Sequence, residues 1–398
     1  MDSRRNFVGK VAYGLAGTLA AGPGRVLGAN ERVRVGIVGA GDRGMELAHH
    51  LRACPNTEIF AFADIYSKHL DRATGLVPGS AGHRDYRALL DMRDVDAVVI
   101  ATPQHLHGAQ FRDALGAGKH VYLEKTAAFT VAEAKQMRSA FRASTEVVQI
   151  GHQACSTGHV SDVKQFLSDP QRLGKLTAIQ MQQHRNTPSG KPQWSRPVML
   201  RELEESTVDW AQFDPRGFDA NRFVHWRMFW DYSGGTVFEQ MSQQLAFWHK
   251  TLKLDIPASA SMQGGTHLWK DGREVPDTVS VTFQQPEDLM ISWISGLGNN
   301  HNGISEDLLG TNGTISRSAQ VRYTPQKVNR PDLKESLGRT PHTPQAHMEN
   351  FLDAIRTGSE PSCPFDLGYR VSIACRMAVE SFRQGRTVRW DARREEIV

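Results

Sequence analysis

The sequence predicts an α/β protein of two domains, first a doubly wound parallel sheet and then a domain with a largely antiparallel open sheet. An apolar run over residues 33–38 enters a glycine-rich turn, and strand-like and helix-like segments alternate from there to about residue 150. Beyond residue 156 the predicted strands alternate apolar and polar residues instead. A chain of 398 residues is too long to fold around one ordinary hydrophobic core, so two domains are expected.

The turn after the first strand has the spacing G-x-G-x-x-G, followed by a helical pattern. In a Rossmann domain these glycines permit the tight turn, let the backbone approach a pyrophosphate, and let the helix pack on the strand. The second strand ends in Asp64, about 20 residues farther on, where a carboxylate can accept ribose hydroxyls. The predicted cofactor contacts here are Gly39, Gly41, Asp42, Arg43, Gly44 and Asp64.

The cofactor predicted from this pattern is NAD. The carboxylate of Asp64 would repel the 2′-phosphate of NADP. Lys68 follows closely enough in sequence to keep NADP open. Later strands end at residues 102–107 and at Glu124-Lys125, and ligands of doubly wound sheets lie at such carboxyl ends.

The first 29 residues resemble a twin-arginine export signal, with Arg4-Arg5, a mildly apolar segment and small residues up to Ala29. A disordered or membrane-anchoring terminus is the alternative, but the segment 22–25 interrupts the apolar run well short of a spanning helix. The signal carries +3 of the net charge of +4, so the basic pI gives no reason to expect nucleic acid or stable membrane insertion. The predicted units are 1–29, a signal for export to the periplasm, 30–154, the nucleotide domain, and 155–398, the substrate and oligomerisation domain.

Three segments together resemble the Gfo/Idh/MocA family of glucose-fructose oxidoreductase and inositol dehydrogenase type: the glycine turn, Ala101-Thr102-Pro103 with His107, and residues 118–125. A weaker match lies in Gly234-Gly235 and residues 309–314. The resemblance implies NAD or NADP, a carbohydrate substrate and a homo-oligomer, either dimer or tetramer. It also implies cofactor contacts at Thr102, Pro103, His107, Glu124, Lys125 and Gln153.

By the resemblance, Glu124-Lys125 begins the family's E-K-P motif, whose lysine approaches the substrate hydroxyl and the nicotinamide. Oxidation of a sugar carbon requires a hydride acceptor and a group that takes the hydroxyl proton, and a lysine shielded from water can take it. A structural pair between Lys125 and Glu124 is the alternative. Thr126 replaces the family's commonly cis proline, and a cis bond before a non-proline residue costs about 3 kcal/mol, so a trans or rearranged bond is expected.

The helix after Gly235 departs from the family pattern of an acidic residue followed by H-x-x-D. Glu239 takes the acidic place, Gln243 the histidine place and Ala246 the aspartate place. Glutamine cannot transfer a proton near neutral pH. Either Lys125 acts alone, another group such as His184, His225 or Glu239 substitutes, or the chain is a weakened variant. The candidate catalytic residues are Lys125, Gln243, Glu239 and His184.

The segment from 184 to 235 is predicted to form a wall for the substrate, and the region through Trp248 holds five of the chain's eight tryptophans. Indoles stack on the apolar faces of sugar rings, and polar side chains bind the hydroxyls. Plain core packing is the alternative. The candidate substrate contacts are Arg185, Trp226, Arg227 and Tyr232.

Three functions remain open. Free NAD(H) is scarce outside the cytoplasm, so an exported enzyme must regenerate a tightly bound cofactor in place, either as a sugar oxidoreductase or as a redox-neutral glycosidase or lyase acting by transient oxidation. The third is a carbohydrate-binding scaffold without activity. The four cysteines form no zinc-ligand pattern and no metal site is predicted; buried thiols are favoured, with a Cys363–Cys375 bridge left open.

Overall fold

The computed structural model describes residues 32–188, 191–340 and 345–398, and the predicted export signal lies outside them. Both predicted sheets are present in these ranges, one with six strands and one with ten. Helices pack on both, which confirms the α/β class. None of the helices within the described ranges combines the length and the apolar character needed to cross a membrane.

The first sheet is a Rossmann sheet. Its strands are β1 (Val33–Val38), β2 (Thr57–Ala63), β3 (Ala81–His83), β4 (Ala97–Ile100), β5 (His120–Leu123) and β6 (Val148–Ile150), and its helices are α1 (Asp42–Ala53), α2 (Ser67–Leu76), α3 (Tyr86–Leu90), α4 (His107–Gly116) and α5 (Val131–Arg142). The strand order is β3-β2-β1-β4-β5-β6 and all pairs are parallel. The order reverses between β1 and β4, which places a binding crevice at their carboxyl ends.

The second sheet is mostly antiparallel, with one parallel pair. Its strands are β7 (Leu176–Gln183), β8 (Ser259–Gly265), β9 (Thr278–Gln285), β10 (Leu289–Gly296), β11 (Ile304–Gly310), β12 (Gly313–Arg317), β13 (Val321–Pro325), β14 (Ser336–Leu337), β15 (Val388–Asp391) and β16 (Glu396–Ile397). The remaining helices are α6 (Gly158–Leu167), α7 (Pro170–Leu173), α8 (Pro197–Glu202), α9 (Ala220–Val224), α10 (Ser242–Leu252), α11 (Ala346–Thr357) and α12 (Phe365–Gln384). The parallel pair is β7 with β10.

One face of the second sheet packs on helices and the other is open. Burial alternates along β9 and β10, as expected for a sheet covered on one side. Met181 and Trp293 lie on the covered face, in the main hydrophobic core. The open face of β10 carries Met290 and Ile294, which are 42% and 45% exposed.

The C-terminal part of the chain returns to the Rossmann domain. Helix α11 places Met348, Phe351 and Leu352 in the hydrophobic cluster behind β1 and β5. The ring of Phe351 lies 5.8 Å from that of Tyr122 on β5, edge to face. The backbone N–H of Ile150 on β6 donates to the carbonyl of Cys363 at 2.9 Å. The first domain is therefore completed by residues from the far end of the chain.

The four cysteines are free and buried. The Cys363–Cys375 bridge left open by the sequence is not formed. Burial raises the pKa of the Cys375 thiol, which keeps it protonated.

We expect Phe351→Ala to destabilise the protein by about 3–5 kcal/mol, because the side chain is fully buried and its removal leaves a cavity between α11 and the sheet. Urea unfolding of the variant measures this. Val328→Ala is the control, since Val328 is 94% exposed. Equal stability of both variants would show that α11 does not support the first domain.

Candidate functional site

The glycine turn forms the floor of a cleft at the carboxyl end of β1. Gly39 has a φ of +91°, which L side chains rarely adopt. A Cβ on Gly44 would stand 1.9 Å from the Gly39 carbonyl oxygen, so only glycine lets α1 approach the turn. A Cβ on Gly41 would meet only a His69 ring atom, at 3.8 Å, so this backbone faces open space. The three glycines thus provide the cradle that a pyrophosphate requires.

Asp64 is fixed at the end of β2. Its carboxylate accepts the backbone N–H of Ala40 at 2.7 Å and that of Tyr66 at 2.8 Å, and the His69 ring lies 3.2 Å away. The residue lines the cleft, as a ribose contact must. Lys68 lies outside the lining, and its Nζ donates to the carbonyl of Glu202 at 3.2 Å. The residues around Asp64 therefore fit NAD.

A segment of the second domain, residues 194–227, crosses this cleft and is termed the strap. Its Arg196 Nη1 lies 2.8 Å from Asp42 Oδ2, and the N–H of Asp209 donates to the carbonyl of Ile65 at 2.8 Å. Val208 forms a β-bridge with Tyr66. Burial alone would raise the pKa of Asp42, but the charges of Arg196 and Arg72 outweigh it and lower the pKa. The strap contributes a third of the lining, which sequence spacing could not reveal.

A second cavity of about 440 Å³ adjoins the cleft. It lies between the ends of β4 and β5, the strap, helix α10 and the second sheet. The two cavities share five lining residues, Arg43, Ala101, Thr102, Trp226 and Arg227. A dinucleotide in the cleft would therefore present its nicotinamide end to the second cavity.

Lys125 and Glu239 meet in this second cavity. Lys125 Nζ donates to the Glu239 backbone oxygen at 3.0 Å and to its Oε2 at 3.2 Å. Gln104 Nε2 donates to Glu239 Oε1 at 2.7 Å, and Arg227 Nε lies 3.3 Å from Oε2. Burial alone would raise the pKa of Glu239, but the charges of Lys125 and Arg227 outweigh it and lower the pKa. Glu239 is an ionised partner of Lys125, which makes it poorly suited to act as the base.

Glu239 sits in a π-helical turn, Val237–Met241, that leads into α10. Such turns are rare and occur frequently at functional sites. The turn follows Gly235, whose φ is +61°. A Cβ on Gly234 would overlap the ring of Phe238 at 2.0 Å, so the glycine pair permits the tight entry. Gly234 and Gly235, where the sequence resembles the family only weakly, therefore begin the segment that presents the Glu239 carboxylate to the second cavity.

The expectation of a trans bond before Thr126 is wrong, because the Lys125–Thr126 peptide is cis. Tertiary hydrogen bonds hold this threonine at both ends. Its Oγ1 donates to the carbonyl of Phe238 at 3.0 Å, and its own carbonyl oxygen lies 3.0 Å from His107 Nδ1. The other ring nitrogen of His107 lies 3.0 Å from the carbonyl oxygen of Thr102. His107 is buried behind the loops and positions them rather than lining the cleft.

Gln243 lines the second cavity one turn beyond Glu239, and Ala246 is fully buried on the same helix. His152, which had no assigned role, is buried beside Gln243. The side chain of Gln243 is a close polar neighbour of the ring, but neither ring nitrogen meets a described partner with full hydrogen-bond distance and angle. Burial, together with the charge of Lys125, lowers its pKa to about 3, so the ring is neutral. Gln243 therefore has a neutral histidine from another segment as its neighbour, and neither side chain carries a charge.

The other predicted residues divide into two groups. The structure brings Thr102, Pro103, Glu124, Gln153, Arg185, Trp226 and Arg227 into the walls of the two cavities. His184 and Tyr232 lie outside both walls. His184 flanks Gly296 at the end of the second sheet. Tyr232 is buried in an aromatic cluster, where its hydroxyl donates to Asp214.

His225 also has a structural environment. Its Nδ1 lies 2.7 Å from Asn221 Oδ1, and its Nε2 accepts the backbone N–H of Arg196 at 2.9 Å. It therefore holds the strap and does not enter either cavity wall. Several polar cavity residues were missed by sequence reasoning, among them Gln104, Arg196, Gln240, Gln244, Glu306 and Arg317. No local motif marks them, because they converge from distant segments.

Residues 33–152 match the family described as "Oxidoreductase family, NAD-binding Rossmann fold", GFO_IDH_MocA. Among curated proteins, "Glycosyl hydrolase family 109 protein 2" of Shewanella sp. (strain ANA-3) is 37% identical over 119 residues, 28% of this chain and 26% of that protein. A dehydrogenase of Comamonas testosteroni, "1-carboxy-3-chloro-3,4-dihydroxycyclo hexa-1,5-diene dehydrogenase", is 28% identical over 147 residues, 37% of each chain. The match spans about a quarter of the length of the first of these relatives.

Solved structures extend the similarity to the whole fold. Levoglucosan dehydrogenase in complex with NADH and L-sorbose superposes with a TM-score of 0.72 at 17% identity, over 90% of this chain and 99% of that chain. Aldose-aldose oxidoreductase from Caulobacter crescentus, complexed with glycerol, gives 0.69 at 18% identity, over 90% and 100%. The second sheet and its helices are thus part of a shared architecture. Residues 33–152 therefore match the NAD-binding Rossmann domain of the Gfo/Idh/MocA oxidoreductase family, and the chain as a whole shares the fold of these solved structures.

Proposed function

We propose that the protein is an NAD-dependent oxidoreductase that transfers hydride at a ring carbon of a sugar or sugar derivative. One observation carries the proposal: the cavity that holds Lys125, Glu239 and Gln243 shares a wall with the dinucleotide cleft. Its volume of about 440 Å³ lies within the range of small-molecule sites. The similarity to enzymes whose titles name sugars and NADH supports the substrate class.

Lys125 moves the proton in this proposal. When bound, NAD accepts a hydride from the carbon that bears the substrate hydroxyl. Lys125, in its neutral form, takes the proton of that hydroxyl, and in its protonated form it returns the proton when the alcohol is re-formed. Glu239 holds the Nζ at the cavity wall through two hydrogen bonds and stabilises the charge that Lys125 gains. Gln243 binds and orients a hydroxyl but transfers no proton.

The strap keeps the cofactor in place. It spans the cleft and is joined to the first domain by the Arg196–Asp42 ion pair, the Val208–Tyr66 bridge and the apolar cluster around Trp210 and Phe213. Release of a dinucleotide requires this cover to open. A retained cofactor that is reduced and reoxidised in place suits an exported enzyme.

A redox-neutral glycosidase or lyase is the second candidate. The observation that favours it is the 37% identity to proteins named as glycosyl hydrolase family 109 over the nucleotide domain. On such a route Lys125 would act twice, first in oxidation and then in reduction, with loss of a leaving group between them. A carbohydrate-binding scaffold without turnover is the remaining alternative, since Gln243 replaces the family's histidine.

Export and self-association complete the proposal. The twin-arginine pattern at 4–5 would direct the folded holoprotein to the periplasm, with cleavage after Ala29. The exposed Met290 and Ile294 on the open sheet face support a homo-oligomer.

N-terminal sequencing of protein from the periplasm tests export and cleavage, and light scattering tests self-association. An uncleaved cytoplasmic chain, or a monomer at micromolar concentration, would contradict them respectively.

We expect Lys125→Met to lower kcat by about 100-fold or more while the protein keeps its bound NAD, because the proton-transfer group is lost and Lys125 does not line the dinucleotide cleft. Mass spectrometry of the purified protein and of the variant measures the cofactor. Absorbance at the NADH band during turnover of a panel of sugars and aryl glycosides measures the activity.

Lys334→Met is the control, since Lys334 is exposed and away from both cavities. Unchanged kcat in Lys125→Met would refute its role. Glycoside cleavage without net NADH would favour the glycosidase, and sugar binding without turnover would favour the scaffold. Failure to find or bind NAD would contradict all three.

We expect Arg196→Ala to speed NAD release by about three- to tenfold, because it removes the ion pair that ties the strap to the glycine turn. Stopped-flow displacement of bound NADH by excess NAD measures the rate. Arg201→Ala removes an exposed arginine from the neighbouring helix α8 and should leave the rate unchanged. Equal rates in both variants would show that this pair does not retain the cofactor.

A further inference from the structure

The second cavity carries an excess of positive charge. Five cationic and three anionic side chains line it: Arg43, Lys125, Arg185, Arg227 and Arg317, with Glu124, Glu239 and Glu306. A neutral sugar that filled the cavity would displace water from these cations without supplying a counter-charge, which is unfavourable. The surplus indicates that the ligand supplies negative charge.

Two of the carboxylates are paired with a cation on the first-domain side of the cavity. Glu124 Oε1 lies 2.8 Å from Arg43 Nε, and Glu239 Oε2 lies 3.2 Å from Lys125 Nζ. These pairs are mutually neutralising. Glu239 is shared between Lys125 and Arg227 of the strap, so these two carboxylates face three cations and no carboxylate on this side is paired with Arg185 of the β7 end.

The third carboxylate, Glu306, is paired with Arg317 in the second sheet. It also accepts Gln244 Nε2 at 3.0 Å and the indole N–H of Trp248 at 2.8 Å. Burial raises its pKa despite the charge of Arg317, so any protonation of Glu306 would enlarge the positive excess. Neither Arg185 nor Arg227 is among its partners in the described residues.

Two guanidinium groups therefore remain available. Arg185, which follows β7, is exposed, and its side chain makes no hydrogen bond or ion pair with the described residues. Arg227 approaches Glu239 through Nε at 3.3 Å, and its two terminal nitrogens form no hydrogen bond with the described residues. Its guanidinium lies 4.2 Å from the centre of the Trp226 ring, which fixes its plane. A planar fork of this kind binds an oxyanion with two parallel hydrogen bonds.

We propose that the substrate is an anionic sugar, with a carboxylate or phosphate group bound by Arg185 and Arg227. This inference rests on the proposed function for its sugar moiety, which lies toward Lys125, while the oxyanion lies toward the strap and the end of β7. The positive charge of an oxidised nicotinamide beside Lys125 adds to the same demand for a negative ligand. The sequence predicted that these arginines bind substrate hydroxyls, and the proposal assigns them a charged group of the substrate instead.

The test compares three probes that share one ring: glucose, glucuronate and glucose 6-phosphate. Isothermal titration of the NAD-loaded protein at low salt measures binding, and NADH absorbance measures turnover separately. At least one anionic probe should bind about tenfold or more tightly than glucose, and added salt should reduce the difference. Preference for glucuronate identifies a carboxylate and preference for glucose 6-phosphate identifies a phosphate.

Arg185→Gln should abolish most of the difference between the anionic probes and glucose while the NAD content stays the same, and Arg185→Lys should give an intermediate result. Arg93→Gln is the matched control, because Arg93 is exposed on the first domain and lines neither cavity. Glucose binding as tightly as both anions, no binding of either anion, or equal losses for all probes in Arg185→Gln would overturn the inference. Turnover of glucose with no preference for an anion would refute this inference but keep the proposed function. Tight anion binding without hydride transfer to NAD from any sugar would refute the proposed function but keep the anion site.

Discussion

The contact between Lys125 and Glu239 is the constraint on which the site depends. Glu239 is a buried carboxylate, and a buried charge persists only when opposite charges and hydrogen-bond donors surround it. Its donors come from three separate parts of the chain: the end of β5, the loop after β4 and the strap. Loss of one partner from such a buried pair costs about 3–5 kcal/mol in general. The carboxylate thus fixes the two domains and the strap in one arrangement around the cavity.

The strap turns the open crevice of the Rossmann domain into a covered cleft. A Rossmann domain alone presents an open crevice, and an open crevice exchanges its cofactor with solvent. Here Val208, Trp210 and Phe213 pack with Tyr66 above α2, so closure of the cleft is secured by apolar burial. Charge at the cleft contributes less, because the Arg196–Asp42 pair is half exposed and water screens it. Closure of the cleft is therefore a property of packing between the domains.

The site keeps the glycine turn and the Glu124-Lys125 pair that resemble the family, but its charged side chains lie at different positions. Gln243 and Ala246 remove the titrating pair that the family commonly carries on this helix. His152 lies beside Gln243, but burial keeps its ring neutral. The cations Lys125, Arg227 and Arg185 dominate the cavity instead. The cations that the two proposals use thus lie on the strap and at the strand ends.

Local features determined the first domain. The spacing of Gly39, Gly41 and Gly44, the carboxylate at Asp64 and the strand ends at residues 102 and 124 are short-range patterns, and the structure has each strand at its expected place. The strands of the second sheet that begin at residues 176, 278, 289 and 313 were also predictable from alternation. These patterns arise from backbone geometry and burial, which act over a few residues.

Long-range contacts decided the rest. The sequence by itself determined which nucleotide fold forms and where Lys125 stands. The tertiary structure decided that Lys125–Thr126 is cis, that Tyr232 and His184 lie outside the cavities, and that the strap covers the cleft. The reason is physical: the partners of these groups, among them Phe238, Asp214 and Asp42, are distant in sequence, and no local periodicity encodes which distant side chains meet.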